Sequence, residues 1–291
     1  MTTTVAEYIA VLTDRFEGAD LYYGHGTDNA SDEAFYLVFA ALNLPFEQFD
    51  QQADQGLDEA QVRHLDILAT RRIEERVPVA YLVGQAWFAG HAFHVSPEVL
   101  IPRSPIAELI DREFAPILKS PPASILDLCT GSGCIGISCA LTFPEARVTL
   151  SDISAQALEL AQRNVDRHGV TMHTQIRQSD LFDALEGSWD LVVCNPPYVS
   201  RLEVEALPAE YHHEPALGLL SEDDGLAIPI RILHTAAGYL NDGGWLILEL
   251  GFSWTLLAER YPQVPFLWLE FDSGGEGVLA ISKSDLQRWF R

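Results

Sequence analysis

Asn195-Pro196-Pro197-Tyr198 stands directly after the apolar run Leu191-Val192-Val193-Cys194. The tetrad sets a side-chain amide, a rigid carbonyl and an aromatic ring at the end of an expected strand. The Asn195 side-chain oxygen and the Pro196 carbonyl are two acceptors, proline fixes the direction of the second, and Tyr198 can lay its ring against a planar group. Two such acceptors suit an NH₂ whose lone pair is delocalised. A nitrogen of that kind is a poor nucleophile, so chemistry on it works by positioning and charge stabilisation and requires neither a strong base nor a metal.

A second constellation precedes it. Ile125-Leu126-Asp127-Leu128 leads into Cys129-Thr130-Gly131-Ser132-Gly133 and then into an expected helix from Cys134. An apolar strand, a glycine turn and a helix in that order make a ligand edge at the carboxyl end of a strand, where open α/β sheets bind cofactors. Gly131, Gly133 and Gly136 also satisfy G-x-G-x-x-G, which keeps a nicotinamide or flavin dinucleotide in play. Asp127 speaks against it, since a carboxylate there would face a pyrophosphate without a cation, yet it could accept hydrogen bonds from a cationic amino-acid ligand. An acid at this point suits S-adenosylmethionine. Asp152, followed by Ile153, ends the next strand roughly 20 residues on, where a carboxylate takes both ribose hydroxyls; alone it fits either cofactor. Asp180-Leu181 follows a third strand expected over Met172 to Arg177, at the place for an adenine amine, although Ser179-Asp180 also reads as an ordinary helix cap.

The elements that must position these residues change character along the chain. Val5, Tyr8, Ile9, Leu12 and Phe16 share a face at helix spacing, as do Val62, Leu65, Leu68 and Ala69. Ser31 is a cap candidate for a helix that contains Phe35 to Leu42, which Pro45 closes. Ala86-Trp87-Phe88 and His91 to Val95 flank Ala89-Gly90 as a hairpin, and Pro105 opens a helix over Ile106 to Phe114. Beyond Lys119-Ser120-Pro121-Pro122, strands at 124–128, 147–150, 191–194 and 245–250 alternate with helices at 134–141, 155–167 and 226–240. This is the pattern of a mostly parallel sheet with helices on both faces. Phe266 to Phe271 and Val278 to Ile281 can pair antiparallel across the 272–277 turn. The organisation expected is a helical domain over 1–84, a hairpin and linker over 85–122, and a catalytic domain over 123–291.

Composition limits the partners. The chain has 291 residues, 48% of them apolar, with 18 basic against 42 acidic side chains and a net charge of −24. No whole-surface attraction to phosphate or anionic lipid is available, so direct DNA binding is disfavoured and a basic protein partner favoured. The longest apolar run, Ala34 to Leu42, is far short of the ~20 residues needed to span a bilayer. The N-terminal stretch has no basic leader ahead of an apolar core, so no signal peptide and a cytoplasmic location are expected. Cys129, Cys134, Cys139 and Cys194 are expected as reduced, packed thiols rather than metal ligands.

Taken together, Asp127 with Gly131-Ser132-Gly133, then Asp152, then Asn195 to Tyr198, resemble the class I S-adenosylmethionine-dependent methyltransferases that act on planar NH₂ groups. Val77 to Gly84, the hairpin after it and Val99 to Arg103 resemble the protein-glutamine methyltransferases of the HemK/PrmC family rather than the DNA adenine-amine enzymes. Within that family, Tyr23 to Asn29, Pro102 to Ile110 and Leu207 to Pro215 resemble the branch that methylates a glutamine of large-subunit ribosomal protein three. The release-factor branch usually has Pro-Arg-Pro-Glu-Thr-Glu where this chain has Pro102-Arg103-Ser104-Pro105-Ile106-Ala107. The resemblance covers nearly the whole chain. It implies an α/β fold with a mostly parallel seven-stranded sheet and a small N-terminal helical, substrate-recognising domain.

It also implies roles for residues. The cofactor loop falls on Cys129, Thr130, Gly131, Ser132 and Gly133, the ribose acid on Asp152, the adenine side on Asp180 and Leu181, and the amide clamp on Asn195, Pro196, Pro197 and Tyr198. Cys129 departs from the glycine common in relatives, which narrows the space beside the cofactor. Arg103 is a candidate for contact with cofactor or substrate, or for a salt bridge within the linker. Tyr211, His212 and His213 read as loop residues rather than a general base, because the proton can leave after methyl transfer. A basic ribosomal protein would be drawn to a chain of this charge before or during ribosome assembly. The rival readings are a release-factor methyltransferase, a DNA amine methyltransferase and a catalytically silent assembly factor.

Overall fold

Leu191-Val192-Val193-Cys194 and Leu246-Ile247-Leu248 carry apolar side chains on consecutive residues, which a strand can hold only when both faces of its sheet are covered. The computed structural model, which describes residues 3–272 and 274–291, shows both faces covered. The strands are β1 (Gln85–Phe88), β2 (His91–His94), β3 (Ser124–Leu128), β4 (Arg147–Asp152), β5 (Thr174–Gln178), β6 (Trp189–Cys194), β7 (Leu240–Glu249), β8 (Leu267–Trp268) and β9 (Val278–Ser282). Seven of them form one sheet in the order β5-β4-β3-β6-β7-β9-β8. Neighbours from β5 to β7 are parallel, and β9 runs antiparallel to both β7 and β8.

Alternation along each strand splits the core. Ile125, Leu191, Val193 and Ile247 pack with Ile106, Ile137 and Val165 on one face. Leu126, Val192, Cys194 and Leu246 pack with Ile232, Leu257 and Leu286 on the other. A third core fills the N-terminal region, where Leu12, Phe16, Leu37, Phe39 and Leu65 are fully buried among the helices Val5–Glu17, Ala30–Ala41 and Glu59–Glu74. That core also takes in Val99 and Ile101 of the linker and Ala157 and Leu160 of the Ala155–His168 helix, so the helical region rests directly on the sheet's covering layer.

Several expected boundaries move, each for a local reason. Asn29, not Ser31, caps the Ala30–Ala41 helix, because Asn29 has extended backbone and its side chain accepts the Asp32 N–H. That helix ends ahead of Pro45, with Asn43 in the left-handed region at φ 53°. The helix after Pro105 stops at Asp111, since Glu113 and Phe114 both have positive φ. β7 begins at Leu240 rather than Trp245: a bulge between the pairs Trp189–Leu240 and Leu191–Trp245 absorbs Asn241-Asp242-Gly243-Gly244, which reads as a turn in sequence. The helix before β7 ends at Thr235 and tightens to a 3-10 turn over Ala236–Tyr239, and β8 shrinks to Leu267–Trp268. Ser273, within the turn expected between β8 and β9, lies outside the described residues.

Two arginines hold the segment that follows the Asn195–Tyr198 tetrad, Arg72 from the helical region and Arg103 from the linker. Arg72, 1% exposed, donates to Glu33 at 2.8 Å, to Glu210 at 3.0 Å and to the Tyr22 carbonyl at 2.8 Å. Glu210 also accepts the Tyr22 N–H at 3.0 Å. Arg103 holds Glu214 with two bonds, of 2.6 and 2.7 Å. Each buried charge has a partner, the condition under which burying it is tolerable. Arg72→Ala would leave Glu33 buried without its cation and Glu210 with only the more distant Arg76, 3.7 Å away, and is expected to cost about 3–5 kcal/mol. A denaturant titration checks it against Arg63→Ala, whose partner Glu59 is exposed and whose loss should leave the midpoint unchanged. Equal midpoints for the two variants would contradict the clamp.

Candidate active site

β3 and β6 are neighbours, and Leu128 pairs with Cys194 at their carboxyl ends. The residues that follow, Cys129 to Gly133 and Asn195 to Tyr198, therefore leave the sheet side by side. Between them opens a cavity of about 240 Å³. Cys129, Thr130, Gly131, Ser132, Asp152, Ile153, Asp180, Leu181 and Asn195 all line it, as do Pro197 and Arg103. Most of the residues singled out in the sequence thus face one space, and Asp127, Gly133, Pro196 and Tyr198 do not.

The loop owes its shape to alternating left-handed residues. Cys129, Gly131 and Gly133 have φ of 59°, 55° and 83°, which costs a glycine little and a side-chain-bearing residue more. Cys129 is the one non-glycine of the three. The Thr130 N–H donates to the Ser151 carbonyl, and the Gly131 N–H to Asp152 Oδ2, both at 2.9 Å. Asp152 Oδ1 accepts the Ser154 N–H at 2.9 Å. Burial raises the Asp152 pKa against these bonds. Each carboxylate oxygen keeps a lone pair for a further donor, as a ribose diol requires. Gly136 serves packing rather than ligand contact, since a Cβ there would lie 2.2 Å from Leu150 Cδ2.

Asp127 departs from the expected role. It is 1% exposed and does not line the cavity. Its Oδ2 accepts the Thr130 hydroxyl at 2.5 Å and the Gly136 N–H at 2.8 Å, while Oδ1 has no partner among the described residues. Gly136 is in the first turn of the Cys134–Thr142 helix, whose own N-cap, Gly133, brings no side-chain cap. Asp127 thus caps that helix from the neighbouring strand, satisfying one of its free N–H groups. Side chains alternate along β3, so the carboxylate that seemed aimed at a ligand instead points beneath the helix. Its value as an argument against a dinucleotide falls with that.

The tetrad also divides. Asn195 and Pro197 reach the cavity wall, whereas Pro196 and Tyr198 do not line it. Among the described residues none hydrogen-bonds the Asn195 side chain or the Pro196 carbonyl, so both acceptors are free. Tyr198 is fixed behind them. Its hydroxyl donates to Glu249 at 3.1 Å, its carbonyl accepts the Ser253 hydroxyl at 2.8 Å, and Gly251 leaves room for its ring. Burial pushes the Tyr198 phenol well above its ordinary pKa and raises that of Glu249, which also accepts the Ser104 hydroxyl at 2.5 Å.

Arg103 is on the wall, with its guanidinium turned to Glu214 rather than free for a ligand; the salt bridge runs to the 209–214 segment, not within the linker. Asp180 is paired with Arg231 at 3.1 Å, and Ser179, not Asp180, accepts the Ala184 N–H. His25 Nε2 lies 3.9 Å from Glu214, but burial and the nearby guanidiniums of Arg103 and Arg72 push its pKa down to about 3, so this is no ion pair at neutral pH. Cys134, Cys139 and Cys194 are buried free thiols and Cys129 is half-buried.

Three contributors escaped the sequence reading. Arg231 lines the cavity with Ile228, three residues back on the same helix face, and that spacing was its available signal. Asn164, fully buried, donates to the Ser132 carbonyl at 2.8 Å and to the His94 carbonyl at 3.0 Å, tying the loop to the hairpin. Glu249 ends an apolar strand as an unremarked acid. Nothing local marks the last two.

A family model described as the methyltransferase small domain matches residues 112–228. The ribosomal protein uL3 glutamine methyltransferase of Bordetella pertussis (strain Tohama I) is 43% identical over 287 residues, 97% of this chain and 96% of the relative. Its counterpart from Francisella tularensis subsp. tularensis is 40% identical over 98% of this chain and 92% of the relative. Among solved structures, the hMettl16 catalytic domain in complex with MAT2A 3'UTR hairpin 6 aligns at a TM-score of 0.56 and 18% identity, over 85% of this chain and 92% of that one, a likeness of fold alone. The fold is that of a class I methyltransferase. The chain belongs to the ribosomal protein uL3 glutamine methyltransferase family.

Burial pushes the Asp127 pKa up to about 7, against the bonds from Thr130 and Gly136. In the unfolded chain the group ionises near 3.8, so between about 4 and 7 the folded state holds a proton that the unfolded state has lost. Its contribution to stability therefore declines as pH rises through that window and is level above it. Asp127→Asn keeps both accepted hydrogen bonds, buries an unpartnered amide at roughly 1–3 kcal/mol, and should remove this decline. Denaturant midpoints at pH 5 and pH 8 for both proteins test it; identical pH dependence in the two would show that Asp127 does not titrate there.

Proposed function

We propose that the chain transfers a methyl group from S-adenosylmethionine to the side-chain amide nitrogen of a glutamine in ribosomal protein uL3. The observation that carries this is the pair of unengaged acceptors, Asn195 Oδ1 and the Pro196 carbonyl, beside the Cys129–Gly133 loop. Relatives of nearly equal length that carry this activity in their names support the choice of acceptor. S-adenosylmethionine, when bound, supplies an electrophilic methyl on a sulfonium.

The residues present fit such a ligand. Asp152 offers two carboxylate oxygens to a diol, and Ile153, 47% exposed, offers an apolar face beside Leu181 and Asp180. Asn195 and Pro196 accept the two N–H bonds of the glutamine amide, which orients the nitrogen and increases its electron density. A carbon–nitrogen bond forms as a carbon–sulfur bond breaks. The products are N-methylglutamine, S-adenosylhomocysteine and a proton, which the two acceptors hold until water takes it. Tyr198, held by Glu249 and Ser253 behind the acceptors, keeps the tetrad rigid. Arg103, through Glu214, fixes the wall on the substrate side.

In this reading the helical residues 1–84 recognise the substrate, 85–122 connect, and 123–291 carry the catalysis. The uL3 protein is taken free or in a precursor particle in the cytoplasm, before its glutamine is enclosed. Among the described residues no helix is long and apolar enough to cross a membrane.

Transfer of labelled methyl into purified, unassembled uL3 and, in parallel, a release factor tests this, with the labelled residue mapped by mass spectrometry. Label on a glutamine of uL3 alone is expected. Label on the release factor alone would overturn the partner, and none on either would overturn the glutamine assignment. Asn195→Ala should fold normally and lose roughly 10²–10³-fold in kcat, the scale of removing one preorganised polar contact.

A further inference from the structure

Three stretches far apart in sequence, 23–29, 102–110 and 207–215, come together in the structure. The His25 and Tyr211 rings lie 4.5 Å apart, the Arg103 guanidinium is 5.3 Å from the Tyr211 ring, and Arg103 grips Glu214. These are the stretches that resemble the branch acting on large-subunit ribosomal protein three. Next to them is a groove of about 360 Å³, walled by Thr27, Phe35, Phe46, Glu47, Trp87 and Pro102. Pro102 also walls the cofactor cavity, so the two spaces share a side. No step of the reaction uses this groove.

Its chemistry is aromatic and acidic at once. Trp87 is 43% exposed and meets Phe46 edge-on at 5.5 Å, leaving ring surface open. Glu47 is exposed in the lining, and the exposed Asp28 and Asp50 lie close to the lining residues in sequence. Open aromatic faces with a nearby carboxylate recognise cations. A second copy of this chain, at −24, would meet like charge there.

We propose that this groove docks a cationic segment of the substrate protein adjacent to the acceptor glutamine, with an arginine or lysine side chain against Trp87 and Phe46 and Glu47 as its counter-charge. The inference rests on the reading of the substrate as a basic ribosomal protein. It places partner choice in the groove and methyl transfer in the cavity beyond Pro102.

Steady-state methylation of unassembled uL3 by the full chain tests it, comparing Trp87→Ala and Glu47→Arg with Glu186→Arg, an exposed acid beyond the opposite end of β6. Both groove variants should raise KM for uL3 about tenfold, leave kcat within about twofold and bind S-adenosylmethionine as the parent does. The Glu47→Arg effect should shrink as salt rises. Because Glu47 is exposed, its variant keeps the test decisive even if Trp87→Ala loosens the hairpin. An unchanged KM for Glu47→Arg with an active parent would overturn the groove, as would an equal rise in Glu186→Arg, which would reflect net charge alone. Absence of methylation by the parent would instead overturn the substrate reading, and the proposed occupant with it.

Discussion

The pairing of Leu128 with Cys194 across β3 and β6 is the constraint from which the cleft follows. The chain winds outward from β3 through β4 to β5, then returns across the sheet to place β6 on the other side of β3. At such a reversal the loops leaving adjacent strands diverge, and the gap between them is where an open α/β sheet binds its ligand. The glycine loop and the tetrad are 62 positions apart from Gly133 to Asn195, yet this register makes them neighbours. Each is then stiffened independently: the loop by Asp152, Ser151 and Asn164, the tetrad by Glu249 and Ser253. The division of labour suits a reaction whose demand is geometric. Asn195 can stay unengaged because its surroundings, not its own hydrogen bonds, hold it in place.

A second set of interactions links this cleft to the helical region. Arg72 and Arg103 are each satisfied by carboxylates of the 209–214 segment, a short stretch with little core of its own. Buried pairs of this kind add little net stability over an apolar substitute but penalise any arrangement in which one partner is missing. They therefore fix where the segment lies more than how firmly the protein folds. His213 adds a contact from Nε2 to the Glu75 carbonyl at 2.8 Å, which gives it a structural part in keeping with its reading as a loop residue. The groove beside Trp87 and the cavity that Arg103, Asn195 and Pro197 line share Pro102 as a common wall.

Much of this was legible in the sequence where the signal is local. Apolar runs marked β3, β4, β6 and β9, glycine spacing marked the loop, and Asn195 to Tyr198 announced itself by composition. Boundaries moved where backbone conformation, not side-chain pattern, decides: Glu113 and Phe114 end a helix with positive φ, and a bulge hides the start of β7. Asp127 lies off the cavity wall because position relative to a glycine loop does not say which face of the strand a carboxylate takes. Asn164, Glu249 and the partners of Arg72 were invisible for a different reason. Their meaning lies in contacts across long stretches of chain, such as the 138 residues between Arg72 and Glu210, which no local pattern records.

In the proposed reaction Asn195 and Pro196 hold the acceptor amide between them at the cavity's edge. The most direct measurement is a structure of the full chain with S-adenosylhomocysteine and a glutamine-containing segment of uL3. The glutamine amide nitrogen is expected within hydrogen-bond distance of both Asn195 Oδ1 and the Pro196 carbonyl oxygen. An amide seated elsewhere, with those two acceptors still unengaged, would contradict it.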